Sequence, residues 1–212
     1  SDVVGSLLRP DYLKEARKRY DAGELSPAEF KRIEDRAVDE AIQLQEAAGL
    51  DVLTDGEQRR LTFFGHMLDS FEGFDRAGGI TVTFRDEQGR QMTYRRPVVV
   101  ERLRWRRSMG AEEFTYVRAR TTRVAKVTIP SIEQASAYWD AERSAGAYPT
   151  VERYLEDVVD LMRIELEELY RLGCRYVQFD APQYAALLDP EIRETYRQRG
   201  IDPDRMVELA VE

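Results

Sequence analysis

Two carboxylates in this chain stand where short apolar runs stop. In Asp51-Val52-Leu53-Thr54-Asp55-Gly56-Glu57 the apolar pair gives way to an acid–glycine–acid turn. In Tyr176-Val177-Gln178-Phe179-Asp180 the run ends on an acid, and Ala181-Pro182 follows. Val, Leu, Tyr and Phe suit buried strands and Asp-Gly turns a chain, so Glu57 and Asp180 should sit at strand tips. A third, weaker run, Val3-Val4, leads into Gly5-Ser6. An acid in such a place can grip an ammonium group through charge-assisted hydrogen bonds, or it can move a proton. Three runs ending in small or acidic residues predict one polar pocket on one rim. In a (β/α) barrel the rim at the C-terminal ends of the strands carries the chemistry.

Each candidate also has a plainer account. Glu57 could satisfy backbone donors at the start of a helix over 60–71, and position alone does not separate that from a ligand-gripping role. Asp180 carries the same two readings, but a polar residue closing an apolar strand just before Pro182 favours function. Asp55 reads as a turn former. Ser6 is either a turn hydroxyl or a small-substrate contact. His66, within Phe63-Phe64-Gly65-His66-Met67, reads as packed or at a rim, and Cys174 as a buried, inert thiol at a strand start. One His and one Cys give no metal site recognisable by ligand spacing. Trp105 and Trp139 read as core or interface, and the arginine-dense run Arg102–Arg107 as a solvated strand and loop.

Composition narrows the class. With 212 residues, 42% hydrophobic and 34% charged, the chain has the make-up of a soluble globular protein of one domain. A net charge of −8 argues against nucleic-acid partners. A single cysteine excludes an intrachain disulfide and points to a reducing cytoplasm. No apolar run approaches the ~20 residues of a membrane span, and no signal peptide is read at the start.

The elements that must position these residues alternate in type. Residues 11–20 read as a helix. Ser26-Pro27-Ala28-Glu29 supplies a cap, a first-turn proline and a capping-box acid for a second helix, with Phe30, Ile33, Ala37, Ala41 and Leu44 on its inner face. A strand over 51–54 and a helix over 60–71 follow. Period-two alternation in Ile80–Phe84, a turn at Glu87-Gln88-Gly89 and a return at Met92–Tyr94 predict a β-hairpin inserted at about 78–96. A strand over 97–105, a helix over 111–122 and a strand over 127–130 come next. A long helix over 150–172, a strand over 175–179, and helices opened by Asp189-Pro190 and Asp202-Pro203 complete the pattern, the last still running at Glu212. Strands alternating with helices imply a parallel sheet, of which about four staves are visible where a closed barrel has eight.

Four blocks, in order, carry a resemblance: Val4-Gly5-Ser6-Leu7-Leu8-Arg9-Pro10, Gln45 through Glu57, Lys126-Val127-Thr128-Ile129-Pro130-Ser131 and Tyr176 through Asp180. Together they resemble the cobalamin-independent methionine synthase family, above all its short, single-barrel bacterial relatives. The resemblance spans nearly the whole chain. It implies a (β/α)8 TIM-type barrel of which residues 1–212 supply about the first half, with the hairpin inserted.

It also implies zinc-dependent methyl transfer to a thiol, homocysteine to methionine, as in 5-methyltetrahydropteroyltriglutamate–homocysteine S-methyltransferase. Ser6 matches the Gly-Ser turn that contacts the amino-acid substrate, and Glu57 and Asp180 match the acids that hold its ammonium. No residue here is assigned a catalytic step. The family's His-x-Cys zinc ligands are expected beyond Glu212, so the isolated chain should be inactive. The methyl donor stays open between methyltetrahydrofolate and methylcobalamin.

The pattern departs from the family in two places. Asp2-Val3-Val4-Gly5-Ser6 lacks the histidine of the short relatives' Asp-His-Val-Gly-Ser, and Asp180-Ala181 stands where an acid pair is usual. Two other functions fit the same scaffold: thiol alkylation like that of epoxyalkane:coenzyme M transferase, and a non-catalytic half-barrel. Coenzyme M has a sulfonate and no ammonium, so Glu57 and Asp180 favour the amino-thiol. A half-barrel would also seek a complementary half or another copy of itself.

Overall fold

The chain opens with an extended segment and a helical hairpin. In the computed structural model, which describes residues 1–85, 89–182, 184 and 187–209, α1 spans Asp11–Asp21 and α2 spans Pro27–Ala47. Ser26 accepts from the Glu29 N–H while Glu29 reaches back to Ser26, the full capping box that the sequence predicts. Leu13, Ala16, Phe30 and Ala37 form a small core between the two helices, where Tyr20 stacks on Phe30 with ring centres 4.6 Å apart.

Two compact units emerge along the chain. The first comprises Ser1–His66, Ser108–Ile129 and Glu165–Phe179. Its strand β1 (Val52–Leu53) pairs in parallel with β4 (Val124–Ala125), Val52 opposite Val124 and Leu53 opposite Ala125. The path continues into β5 (Val127–Pro130), whose neighbour is β6 (Val177–Asp180). Residues 124–130 are therefore one strand path, with β1 along its first part and β6 along its second. Bonds from Val127 N to Tyr176 O and from Ser131 N to Asp180 O advance together on both chains, which marks that pairing as parallel too. The N-terminal segment runs beside β1, joined by Asp51 N to Ser1 O and Leu7 N to Gly56 O. Helix α4 (Ala111–Arg118) belongs to this unit, as does the C-terminal part of α6 (Val151–Leu172).

The second unit comprises Met67–Arg107, Pro130–Ile164 and Asp180–Glu212. Its main feature is an antiparallel pair, β2 (Phe71–Arg85) with β3 (Gln91–Trp105). Tyr148 ties this pair to the start of α6: its hydroxyl accepts from Leu103 N at 2.7 Å and donates to Asp157 at 2.8 Å. The short helix α5 (Ile132–Ala135), a single 3-10 turn at Ser136–Tyr138, and helices Pro190–Gln198 and Pro203–Leu209 complete the described part.

Several expectations need correction. Val3-Val4 forms no assigned strand, and Val4 is 82% exposed. The helix expected over 60–71 is only α3, Gly65–Ser70, because residues 61–64 run through bends and a turn. The strand expected over 97–105 is not separate; it is the outer half of β3, so the antiparallel pair reaches well beyond 78–96. The ladder slips between Glu72 and Phe74 and between Asp75 and Ile80, which hides its period from the sequence. The expected turn residues Glu87 and Gln88 lie outside the described residues, as does the chain's end at Ala210–Glu212. Leu44, placed on the inner face of α2, is exposed, and β6 is only half buried, with Phe179 exposed.

Candidate functional site

The turn that follows β1 builds the site. Gln45 of α2 pins Thr54 on both backbone groups, with Thr54 N donating at 3.0 Å and the Gln45 amide donating to Thr54 O at 2.9 Å. The Thr54 hydroxyl then accepts from Gly56 N at 3.0 Å, and Asp55 Oδ1 accepts from Glu57 N at 2.8 Å. Gly56 and Glu57 both take left-handed backbone angles, φ 67° and 54°. Glu57 is the one non-glycine residue to do so among the described residues, a conformation costing on the order of 1–2 kcal/mol. Arg9 offsets it, donating to Glu57 O at 2.9 Å and to Arg60 O at 3.0 Å. The strained turn aims the Glu57 side chain inward, where it is 1% exposed.

Both carboxylate oxygens of Glu57 are engaged. Oε2 accepts from the Ser6 hydroxyl. Oε1 accepts from Thr128 Oγ1 at 3.0 Å and lies 3.3 Å from Arg60 Nη1. Arg60 is itself buried and forks onto Glu113, with Nε to Oε1 at 2.7 Å and Nη2 to Oε2. It also donates to Thr128 O at 2.7 Å. Burial opposes its charge, but Glu113, Asp55 and Glu57 outweigh that and raise its pKa. A Cβ at Gly5 would stand 2.7 Å from Glu57 Oε1 and would push the carboxylate from its place. Ser6 is exposed, so its hydroxyl lies between solvent and the buried acid.

Asp55 is a second buried acid in the same turn. Its Oδ2 is buried without a hydrogen-bond partner among the described residues. Burial first, and the Glu113 charge second, push its carboxyl up to about 7. Its turn-forming role is the one read from the sequence, carried by Oδ1. The alternative of Glu57 as a helix-capping acid fails, because α3 begins only at Gly65.

Ser6 and Glu57 thus come together in the first unit. Asp180 belongs to the second, half-buried at the C-terminal tip of β6, where its carbonyl accepts from Ser131 N at 3.0 Å. Arg60, Thr128 and Glu113 escaped the sequence reading. Thr128 did lie inside a quoted motif, and its place on the two-face-buried strand β5 was the available signal. The arginine-dense run is spent on ion pairs, Arg102 with Asp157 at 3.3 Å and Arg104 with Glu72 at 3.2 Å, as a solvated segment would be.

Among the described residues no group of three or more His, Cys, Asp or Glu could hold a metal ion. His66 is buried at the start of α3. Cys174 precedes β6 and directs its thiol to Tyr176 O at 3.4 Å, and burial raises its pKa, the reverse of what a metal-bound thiolate needs.

Parallel strands with polar residues gathered at a C-terminal tip, each strand followed by helix, define part of a (β/α)-barrel enzyme scaffold. The profile for the catalytic domain of cobalamin-independent synthases matches residues 2–211. The chain belongs to that family, the cobalamin-independent methionine synthases. It is 30% identical over 211 residues to the uncharacterised Bacillus subtilis protein YxjH, covering 97% of this chain and 54% of that protein. With the methionine synthase of Sulfurisphaera tokodaii it shares 30% identity over 182 residues, 85% of this chain and 51% of the relative.

Two solved structures share the fold. A Listeria monocytogenes protein assigned as a vitamin-B12-independent methionine synthase superposes with TM-score 0.68 at 24% identity, covering 98% of this chain and 59% of that one. A B12-independent methionine synthase from a Shewanella species, solved with selenomethionine, gives 0.69 at 21%, covering 100% and 57%. The chain therefore spans about half the length of the curated relatives it matches. No helix among the described residues is long and apolar enough to cross a membrane.

Proposed function

We propose that this chain is the part of a thiol methyltransferase that holds the amino-acid end of its substrate, with homocysteine as acceptor and methionine as product. The observation that carries this reading is the buried Glu57 carboxylate, aimed by a strained turn and covered by an exposed serine hydroxyl. A substrate ammonium replaces the Ser6 hydroxyl on Oε2, while Thr128 and Arg60 keep Oε1 in place. Ser6, once displaced, is free to meet the substrate's polar end. Family resemblance adds Asp180 as a further acid for the amino-acid substrate. None of these residues needs to transfer a proton; their work is alignment of the thiol.

Zinc, implied by the family, keeps a substrate thiol as thiolate when bound. Its ligands are proposed to come from outside residues 1–212, on the same polypeptide or on a complementary partner. A reducing cytoplasm suits such a thiol. The Glu57 carboxylate itself disfavours a sulfonate substrate.

The test is titration of the complete protein with homocysteine. Glu57→Gln removes one partner of a desolvated charge pair, a loss on the order of 2–5 kcal/mol, so affinity should fall at least about 30-fold. Asp180→Asn should fall in the same direction, and metal content should hold in both. Unchanged thiol affinity with metal lost would reverse the assignment.

A further inference from the structure

The segment that carries Ser6 is held in an unusual way. Its apolar side chains anchor it only in part, since Val4 is 82% exposed and Val3 and Leu7 are half-buried, while Ser1, Asp2 and Ser6 are exposed. Its backbone is joined to the β1 region at Ser1 and Leu7, either side of the stretch that matters. Between those points the largest share of the hold comes from one lysine, with a long contact from Thr54 Oγ1 to Gly5 O at 3.5 Å beside it. Lys126, whose side chain is 0% exposed, projects from the strand path 124–130. Its ammonium donates to Asp2 Oδ2 at 2.7 Å, Val3 O at 2.6 Å, Gln178 Oε1 at 2.8 Å and, more weakly, Val4 O at 3.3 Å. Gln178 closes the ring, its amide donating to Val4 O at 2.8 Å. The Tyr176 hydroxyl adds a 3.4 Å contact to Asp2, and its ring lies 5.5 Å from the ammonium.

A buried lysine is costly unless its three protons are all met, and here they are met chiefly by the strap itself. An ammonium presents three tetrahedral donors, so it can gather a carboxylate and successive carbonyls that a planar guanidinium could not. Immediately beyond Val4, Gly5 packs against Glu57 and Ser6 donates to it. A strap that lifted at Val3–Val4 would carry the Ser6 hydroxyl off the acid.

We infer that Lys126 is a positioning residue, fastening the segment Asp2–Gly5 so that the Ser6 hydroxyl is delivered to the Glu57 carboxylate. This deepens the proposed function, on which its substrate arm rests; its structural arm stands alone.

Hydrogen exchange on the 212-residue chain tests the structural arm. Lys126→Met should speed exchange of the Gly5 to Leu8 amides at least tenfold while α1 and α2 keep their protection. Unchanged exchange at those amides overturns the inference. Should Lys126→Met fail to fold, Asp2→Ala and Gln178→Ala remove acceptors and leave the lysine. Each should speed the same amides, and no change in either is equally fatal.

The substrate arm is a double-mutant cycle on homocysteine affinity in the complete protein. Lys126→Met and Ser6→Ala should each weaken binding several-fold, and the double variant should bind no worse than Ser6→Ala. Additive losses would mean that Lys126 acts by some route other than Ser6. If the unmutated protein binds no homocysteine, the functional reading fails while the exchange result still decides the role of Lys126.

Discussion

Burial lets Asp55 keep its proton to a higher pH than an ordinary carboxyl. The unfolded chain releases that proton near its ordinary value of 3.8, the folded chain near 7. Between those values the folded state binds more protons than the unfolded one, so this group's contribution to stability falls as pH rises from about 4 to 7, then stays flat. The full loss is on the order of 4 kcal/mol at about 1.4 kcal/mol per pKa unit. Asp55→Asn keeps an oxygen for the Glu57 N–H and removes the titration. Its stability relative to the parent should therefore rise from pH 4.5 to pH 8 by a few kcal/mol, read from urea denaturation. A difference that does not move with pH would remove the buried proton from the account. At this scale the sequence placed Glu57 just beyond the tip of β1 but left its role open, and it read Ser6 at the end of a run, Val3-Val4, that forms no strand. It was silent about Arg60. That arginine is second of a pair inside an irregular turn, and its partners Glu113 and Thr128 lie 53 and 68 residues away. No local pattern encodes a contact of that range.

Helix α4 opens on Gly110, which has no side chain to cap it, and Ser108 Oγ accepts from Ala111 N at 2.9 Å. Its N-terminus is also held by Glu165 of α6, fully buried, which accepts from Ser108 Oγ, Met109 N and Gly110 N, each at 2.9 Å. Burial raises this acid's pKa while the three donors pull against it. The arrangement matters to the site because α4 bears Glu113, the counter-ion of Arg60. Glu165→Gln exchanges one acceptor oxygen for an N–H donor that faces backbone N–H groups, a cost of about 1–3 kcal/mol. Loss of that much stability, with faster exchange at Met109 and Gly110, is the expected result; neither change would show that α4 stands without the cap. The elements legible from sequence were those whose stop and start signals are local. The capping box of α2 and the apolar face of α6, with Tyr154, Val158, Met162 and Leu169 buried, are such cases. The shortened α3 was not legible, because the apolar spacing of Leu61, Phe64 and Met67 imitates a helix across the bends and turn at 61–64, where Gly65 N bonds Thr62 O.

For the whole molecule, the question is whether residues 1–212 can act by themselves. A zinc site takes about three protein ligands besides the substrate sulfur. This chain offers one histidine and one cysteine, on different elements, and no metal-capable cluster among its described residues. Cys174 sits at the N-terminal end of β6, away from the strand tip where Asp180 stands, and keeps its proton because burial raises its pKa. On the proposed function the zinc ligands come from residues outside 1–212. Elemental analysis of the isolated 212-residue chain should therefore find well under one zinc per chain, and homocysteine with a methyl donor should yield no methionine. Supplying the rest of a relative's barrel as a separate polypeptide should bring zinc and activity back together, because the metal and the substrate grip are then complete. One tightly held zinc per isolated chain, or methionine formed without a partner, would overturn the division of labour between the metal and the Glu57 pocket.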